Sequence, residues 1–242
     1  MRILAIDTSS PGGSVAVCGD GGASEVIRLE KPSSHLVDLG KAVSAALSAV
    51  GVGVDRIDRV AIVTGPGSFT GLRVGMAYVK GLYAARGLEV VAMTSLELLA
   101  HQAAKEGLPV SPMIDARKNE VYAALYDASG RHTPGLPSGL TEKIAPRVVP
   151  PEKHIASLSQ RPTVFVGSGV VRYRAQIEKF FGAWARFAGE GESDPDTRLL
   201  CRLARDLVPL GPEDVVTLEP FYIRPSDVKL KPLKGVRAYD RS

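Results

Sequence analysis

The stretch VAIVTGPGSFTGLRVG, Val60 to Gly75, joins an apolar run to a helical pattern through a glycine-rich turn. Val60–Val63 reads as a buried strand, and Ser68–Ala85 as a helix with Ser68 as its N-cap. Gly65-Pro66-Gly67 supplies the tight turn between them. Two phosphate-binding readings fail on spacing. The P-loop needs glycine, lysine and a hydroxyl at offsets that neither Gly65 nor Gly67 provides. The dinucleotide fingerprint GxGxxG is missed by one residue, because three residues separate Gly67 from Gly71. Packing and an anion at the helix N-terminus remain open, with packing favoured. Gly71 and Gly75 lie four apart on one helix face, and a helical glycine costs about 1 kcal/mol against alanine. Two of them imply a close helix–helix approach, within the fold or with another subunit.

Working outward, the first third alternates in a recognisable order. Arg2–Asp7, Ser14–Cys18 and Ser24–Leu29 read as three short strands, separated by turns at Pro11-Gly12-Gly13 and Asp20-Gly21-Gly22. A helix follows, with Leu36, Leu39, Val43, Ala46, Leu47 and Val50 on one face and Ser33 or Ser34 as cap. Beyond the glycine block come a strand, Leu88–Met93, and a helix, Thr94–Lys105, capped by Thr94 or Ser95. A meander followed by helix–strand alternation is the order of the ribonuclease-H-like and actin-like α/β folds. Gly107-Leu108-Pro109 then punctuates the chain. Val110–Asp115 and Glu120–Tyr126 repeat the strand–Asp–turn–strand pattern of residues 2–18, which implies two related lobes. Thr163–Val166 is a further strand, leading through Gly167-Ser168-Gly169 to helices at Val170–Phe181 and Thr197–Leu207. His132 to Gly139 fits a loop. The expected division is residues 1–107, 108–223 and a basic tail, 224–242.

Composition bounds the function. The chain has 242 residues, 45% hydrophobic and 23% charged, enough for one large domain or two small ones. Its net charge of +4 is local: residues 224–242 hold six Lys or Arg against two Asp or Glu, and the rest balances. Such a tail could touch nucleic acid or be a solvated terminus. No apolar run approaches a transmembrane length, and the first apolar run breaks at Asp7, so neither a membrane span nor a signal peptide is expected. Cys18 and Cys201 stand without CxxC partners and read as buried thiols of a reducing, cytoplasmic setting.

Five segments together resemble one family: ILAIDTSS at 3–10, SSHLVDL at 33–39, GPGSFTGLRVGMAYVKGL at 65–82, MIDARKNEVYAALY at 113–126 and EPFYIR at 219–224. They are similar to the bacterial TsaB (YeaZ) family, and the likeness spans nearly the whole chain. It implies the actin-like ATPase fold with two lobes, each a mixed sheet flanked by helices, and kinship with the larger, glycoprotease-like TsaD/Kae1 proteins. It further implies a part in forming N6-threonylcarbamoyladenosine at adenosine 37 of tRNAs that read codons starting with A. In that pathway TsaC makes threonylcarbamoyl-adenylate, TsaD transfers the group, TsaE is an ATPase, and TsaB is the scaffold that binds TsaD.

The residues argue against catalysis by this chain alone. The catalytic relatives carry a His-x-x-x-His pair, and four-residue spacing lets two histidines hold one metal. Here the pair's places fall at Ser95 and Leu99, and His101 has no partner at four residues. His35, His132 and His154 are scattered. No metal site is expected, and there is no GxSxG elbow. A two-metal nuclease would need more carboxylates near Asp7 than the sequence offers. The competing reading is a nucleotide-dependent enzyme whose interlobe cleft is lined by Asp7, Thr8, Ser9 and Asp115. We read these as relics of an ancestral cleft, with no intrinsic cofactor, while weak ATP or ADP binding, alone or shared with TsaD, stays open.

The remaining surface is the pair of helices in the first lobe, which the resemblance implies as the contact with TsaD and as a competing homodimer. The expected interface is His35, Leu36, Leu39, Val43 and Leu47 on the first helix. Phe69, Gly71, Leu72, Arg73, Gly75, Met76 and Val79 supply the second, with Arg73 a candidate rim ion pair. On this reading Gly75→Leu blocks the partner and spares the fold. Arg117, Lys118 and Asn119 form a polar tip that faces the cleft or TsaE, or a plain hairpin turn. The tyrosine and arginine of EPFYIR fasten the chain end to the fold, and tRNA is met through the complex.

Overall fold

The structure, a computed structural model, describes residues 1–19, 24–29, 35–104, 107–128, 139–189 and 191–223, with the side chains of 24 and 35–38 excepted. Ser33, Ser34, His132 and the 224–242 tail lie outside these, as do the side chains of His35 and Leu36.

The first sheet contains β1 (Ile3–Asp7), β2 (Ser14–Cys18), β3 (Ser24–Arg28), β4 (Arg59–Val63) and β5 (Glu89–Met93) in the order β3-β2-β1-β4-β5. β1 pairs antiparallel with β2 and parallel with β4. The second sheet contains β6 (Pro109–Asp115), β7 (Val121–Asp127), β8 (Thr141–Val149), β9 (Thr163–Val166) and β10 (Ala185–Phe187), ordered β10-β9-β6-β7-β8. Read from its other end, β8-β7-β6-β9-β10, this is the order of the first sheet, with β6 standing where β1 stands, antiparallel to β7 and parallel to β9. The repeated strand–Asp–turn–strand pattern is therefore a repeated lobe, and the whole is the two-lobed actin-like architecture.

The central strands are apolar on both faces because both are covered. In β1, Leu4 and Ile6 join one core with Val60 and Ile62 of β4. Helices α1 (His35–Ala49) and α2 (Phe69–Arg86) cover that core with Leu39, Val43, Leu47, Met76 and Val79. The alternate residues Ile3 and Ala5 face the other side, against Leu98 of α3 (Ser95–Ala103) and Leu200 and Cys201 of α6 (Thr197–Leu203). α3 begins in a capping box between Thr94 and Glu97. Its Leu96, Leu99, Ala100 and Ala103 turn to the second sheet, so this helix is shared between the lobes. On the outer face of the second sheet lie α4 (Pro151–Ala156) and α5 (Ser168–Phe181), with Ile155, Val170, Ile177 and Phe181 in the core.

The expected boundary at residue 223 is corrected here. α6 and α7 (Pro212–Thr217) return to the first lobe, with Leu200, Cys201 and Ala204 in one of its cores and Val215 in the other. One buried cation fastens this return. Arg59 donates from Nε and Nη2 to Glu89, and from Nη1 to the carbonyls of Ala204, Arg205 and Leu207 at 2.5, 3.2 and 3.1 Å. Among the described residues no helix is long and apolar enough to cross a membrane.

Candidate functional site in the interlobe cleft

Between the lobes lies a cleft of about 750 Å³. The loop after β1 brings Ser9 and Ser10 to it, the glycine block brings Gly67, Ser68 and Phe69, and the end of β6 and the turn after it bring Asp115 and Arg117. Ser168, at the start of α5, Tyr122, Ser193 and Asp194 add to its polar lining. Equivalent turns of the two related lobes thus face each other.

The glycine block fits against the IDTSS turn of the same chain. The Ser68 backbone N–H donates to the Ser9 carbonyl at 2.7 Å. A methyl group on Gly67 would lie 2.3 Å from that carbonyl oxygen, and one on Gly71 2.0 Å from the Thr8 carbonyl oxygen. One on Gly75 would lie 2.3 Å from the Thr8 hydroxyl. Real side-chain carbons do not approach so closely, so glycine is required for this backbone-to-loop contact. This corrects the partner-packing role of Gly71 and Gly75: their close approach is to Thr8. The N-cap reading holds, since the Ser68 hydroxyl accepts from the Gly71 N–H at 3.2 Å.

Asp7 and Thr8 lie behind the cleft wall, wholly buried. The Asp7 carboxylate accepts from the Ser9 N–H and hydroxyl at 2.8 and 2.6 Å and from the Ser10 hydroxyl at 3.1 Å. Burial nevertheless pushes its pKa up to about 6. The Thr8 hydroxyl is buried with no partner. Asp115 does reach the cleft, but its carboxylate is held by Arg172 at 2.9 Å and Arg117 at 3.6 Å. Arg117, Lys118 and Asn119 all adopt positive φ, an uncommon run that tightens the tip and sets Arg117 in the cleft wall. Of the four expected cleft residues, only Ser9 and Asp115 line it.

The two described histidine side chains, His101 and His154, stand apart in separate surroundings. Ser95, at one place of the relatives' pair, donates its hydroxyl to the Pro66 carbonyl at 2.5 Å, and Leu99 at the other is wholly buried. His101 is kept neutral by burial, its pKa lowered to about 4. His154 is buried, 2.9 Å through Nε2 from the Ser111 hydroxyl and 3.0 Å through Nδ1 from Arg147 Nη2. The guanidinium can only donate, so Nδ1 accepts and Nε2 carries the proton toward Ser111. That is the wrong tautomer for a base acting on this serine. Among the described residues no three His, Cys, Asp or Glu gather as metal ligands.

The two helices of the expected interface need a second correction. Leu39, Val43, Leu47, Leu72, Met76 and Val79 are buried in the chain's own interior and present nothing outward. The exposed face of α1 is Lys41, Ser44, Ala45, Ser48 and Ala49; that of α2 is Phe69, Thr70, Arg73, Ala77, Gly81 and Ala84. Within the chain Arg73 is engaged by the C-terminal segment: its Nε donates to the Tyr222 hydroxyl at 2.9 Å, and its guanidinium lies over the Phe69 ring at 3.9 Å. Tyr222 also packs on Phe69, and the Phe221 N–H donates to the Thr64 carbonyl, so EPFY does fasten the chain end.

An actin-like pair of lobes, with the glycine block locked on the first carboxylate turn, defines the class. The model of the family described as "TsaD: tRNA N6-adenosine threonylcarbamoyltransferase" matches residues 30–173. The tRNA threonylcarbamoyladenosine biosynthesis protein TsaB of Haemophilus influenzae is 29% identical, covering 97% of this chain and 98% of its own. The TsaB of Bacillus subtilis is 27% identical over 96% and 97%. The structure of YeaZ from Pseudomonas aeruginosa superposes with a TM-score of 0.73 at 27% identity, covering 91% of this chain and 99% of its own. The chain belongs to this family, in its TsaB (YeaZ) branch.

Proposed function

We propose that this chain is a non-catalytic subunit that binds TsaD and, with TsaE, supports transfer of the threonylcarbamoyl group to N6 of adenosine 37 in tRNA. The observation that carries the reading is the state of Asp115. In an active cleft a carboxylate at this place would face a nucleotide's metal ion; here Arg172 and Arg117 already neutralise it. Asp7 is sealed behind the wall, and the places of the catalytic histidine pair are taken by Ser95 and the buried Leu99. Among the described residues no three metal-ligating side chains gather there, and on this reading the chain lends surface to its partner.

That surface is the outward face of α1 and α2. Small residues four apart, Ala77 and Gly81 on α2 with Ala45 and Ala49 on α1, allow a partner's helices to approach closely. A methyl group on Gly81 would meet nothing within 4 Å. Gly81→Leu therefore keeps the fold and blocks the partner, the outcome first expected of Gly75.

Sedimentation of the chain with TsaD of the same organism, with and without ATP, tests the reading. A one-to-one complex, lost in Gly81→Leu, supports it, as does tRNA modification by TsaD that requires this chain. ATP turnover by the chain alone, without association, overturns it in favour of the active-cleft reading.

A further inference from the structure

Two cysteines that are 183 positions apart in sequence meet at one corner of the first lobe. Cys18 ends β2 opposite Ile3 of β1. Cys201, on α6, points its thiol at the same corner, 3.6 Å from the Ile3 carbonyl and 3.7 Å from the Ala16 carbonyl. Ile3, Ala16 and Cys18 share one sheet face, and Cys201 packs with all three in a single core. The Cys201 thiol therefore lies beside the end of β2 where Cys18 stands, on the same sheet face.

Their surroundings differ. Cys201 is wholly buried, while Cys18 reaches the rim at 8% exposure. Arg198 and Arg202 stand exposed on α6 and Arg205 follows it, with Arg205 donating to the Gly19 carbonyl next to Cys18. The Cys201 thiol and these three guanidinium groups pull the Cys18 pKa down against burial, whereas Cys18 and burial push that of Cys201 up. Thiolate character, which governs reactivity, thus falls on the outer sulfur.

We infer that Cys18 and Cys201 form a peroxide-sensitive dithiol, in which Cys18 is attacked first and Cys201 resolves it into a disulfide tying α6 to β2. In the first step the Cys18 thiolate attacks hydrogen peroxide. An S–O bond forms, the O–O bond breaks, and the departing hydroxide takes up a proton to become water. The Cys18 sulfur is oxidised to a sulfenic acid. In the second step the Cys201 sulfur attacks the Cys18 sulfur. An S–S bond forms, the S–O bond breaks, and hydroxide leaves with the Cys201 proton as a second water. The peroxide supplies the whole two-electron oxidation.

The sequence holds two cysteines, so each thiol titrated is assigned directly. The native chain is treated with dilute hydrogen peroxide, then unfolded and titrated with a thiol reagent. The expected result is loss of both thiols, a monomer on a non-reducing gel, and a mass lower by two hydrogens. The melting temperature rises by about 5 °C or more, reversed by dithiothreitol, because the bridge closes a long loop. In Cys201→Ala a dimedone probe labels Cys18; in Cys18→Ser the probe leaves Cys201 unmodified. Survival of both thiols, a disulfide between chains, or labelling of Cys201 in Cys18→Ser overturns the proposal. The same titration on the unmutated chain decides the pairing even where a variant fails to fold.

Discussion

Gly75 stands so close to Thr8 that a single methyl group on it would come within 2.3 Å of the Thr8 hydroxyl. The strand-end turn and the glycine helix are two halves of one joint. Gly75→Leu should therefore unfold or strongly destabilise the chain, by about 3 kcal/mol or more, since forced overpacking costs about 1–3 kcal/mol even for smaller insertions. Gly81→Ala, on the open face of the same helix, should instead stabilise by up to about 1 kcal/mol. Urea denaturation of the two variants side by side checks the contrast.

Arg59 should matter far more than its partner. Arg59→Met strips three carbonyls of their donor and should cost about 2–4 kcal/mol. Glu89 is half exposed, so Glu89→Gln should cost less than about 1 kcal/mol. Equal losses in thermal melts of the two variants would count against this assignment.

Two buried groups give stability opposite slopes in pH. Asp7 is raised from 3.8 to about 6, so between those values the folded chain holds a proton the unfolded chain has released, and stability falls as pH rises. His154 is lowered from 6.5 to about 3 by burial and by Arg147, so its contribution is lost as pH falls through that window. Asp7→Asn keeps an acceptor for the Ser9 N–H and removes the first slope alone. The stability of the unmutated chain relative to Asp7→Asn should be greater at pH 4.5 than at pH 7 by about 2 kcal/mol. Urea midpoints of both proteins at the two pH values measure the difference.

Tyr222 should hold the chain end in two separable ways. Tyr222→Phe loses the bond from Arg73 and should cost less than about 1 kcal/mol. Tyr222→Ala also loses the ring on Phe69 and should cost about 1–2 kcal/mol. Limited proteolysis should then cut the segment after Leu218 faster in Tyr222→Ala than in Tyr222→Phe.

Element order was legible wherever burial imposes a period. The first-lobe strands and the helices of the glycine block follow alternation and capping, and the structure places them within a residue or two. The edges of the second sheet were not legible. β8 carries Glu142, Lys143, Pro146 and Arg147, because an edge strand faces water and tolerates proline, so it lacks an apolar signature. The three-residue β10 is too short to show a period. In the site, Asp7 and Asp115 were rightly paired as strand-end equivalents. Spacing could not tell that one is sealed and the other salt-bridged, because Arg172 lies 57 positions from Asp115. Likewise a helix pattern shows which residues are apolar but not which side of the helix meets the sheet. For that reason the buried stripes of α1 and α2 read as an interface, while the small outward residues carry no apolar signal.

The late return of α6 to the first sheet has a consequence for how the chain is made. Ile3, Ala5 and Ala16 find their cover in Leu200 and Cys201, at the far end of the sequence. A ribosome adding roughly 5–20 residues per second needs on the order of ten seconds to travel from the end of α3 to that cover. Until then the nascent first lobe shows one sheet face only partly covered, by Leu98 of α3. A chain stalled or cut before residue 196 is then not a shorter working protein but a sticky one, and its fate belongs to chaperones and proteases.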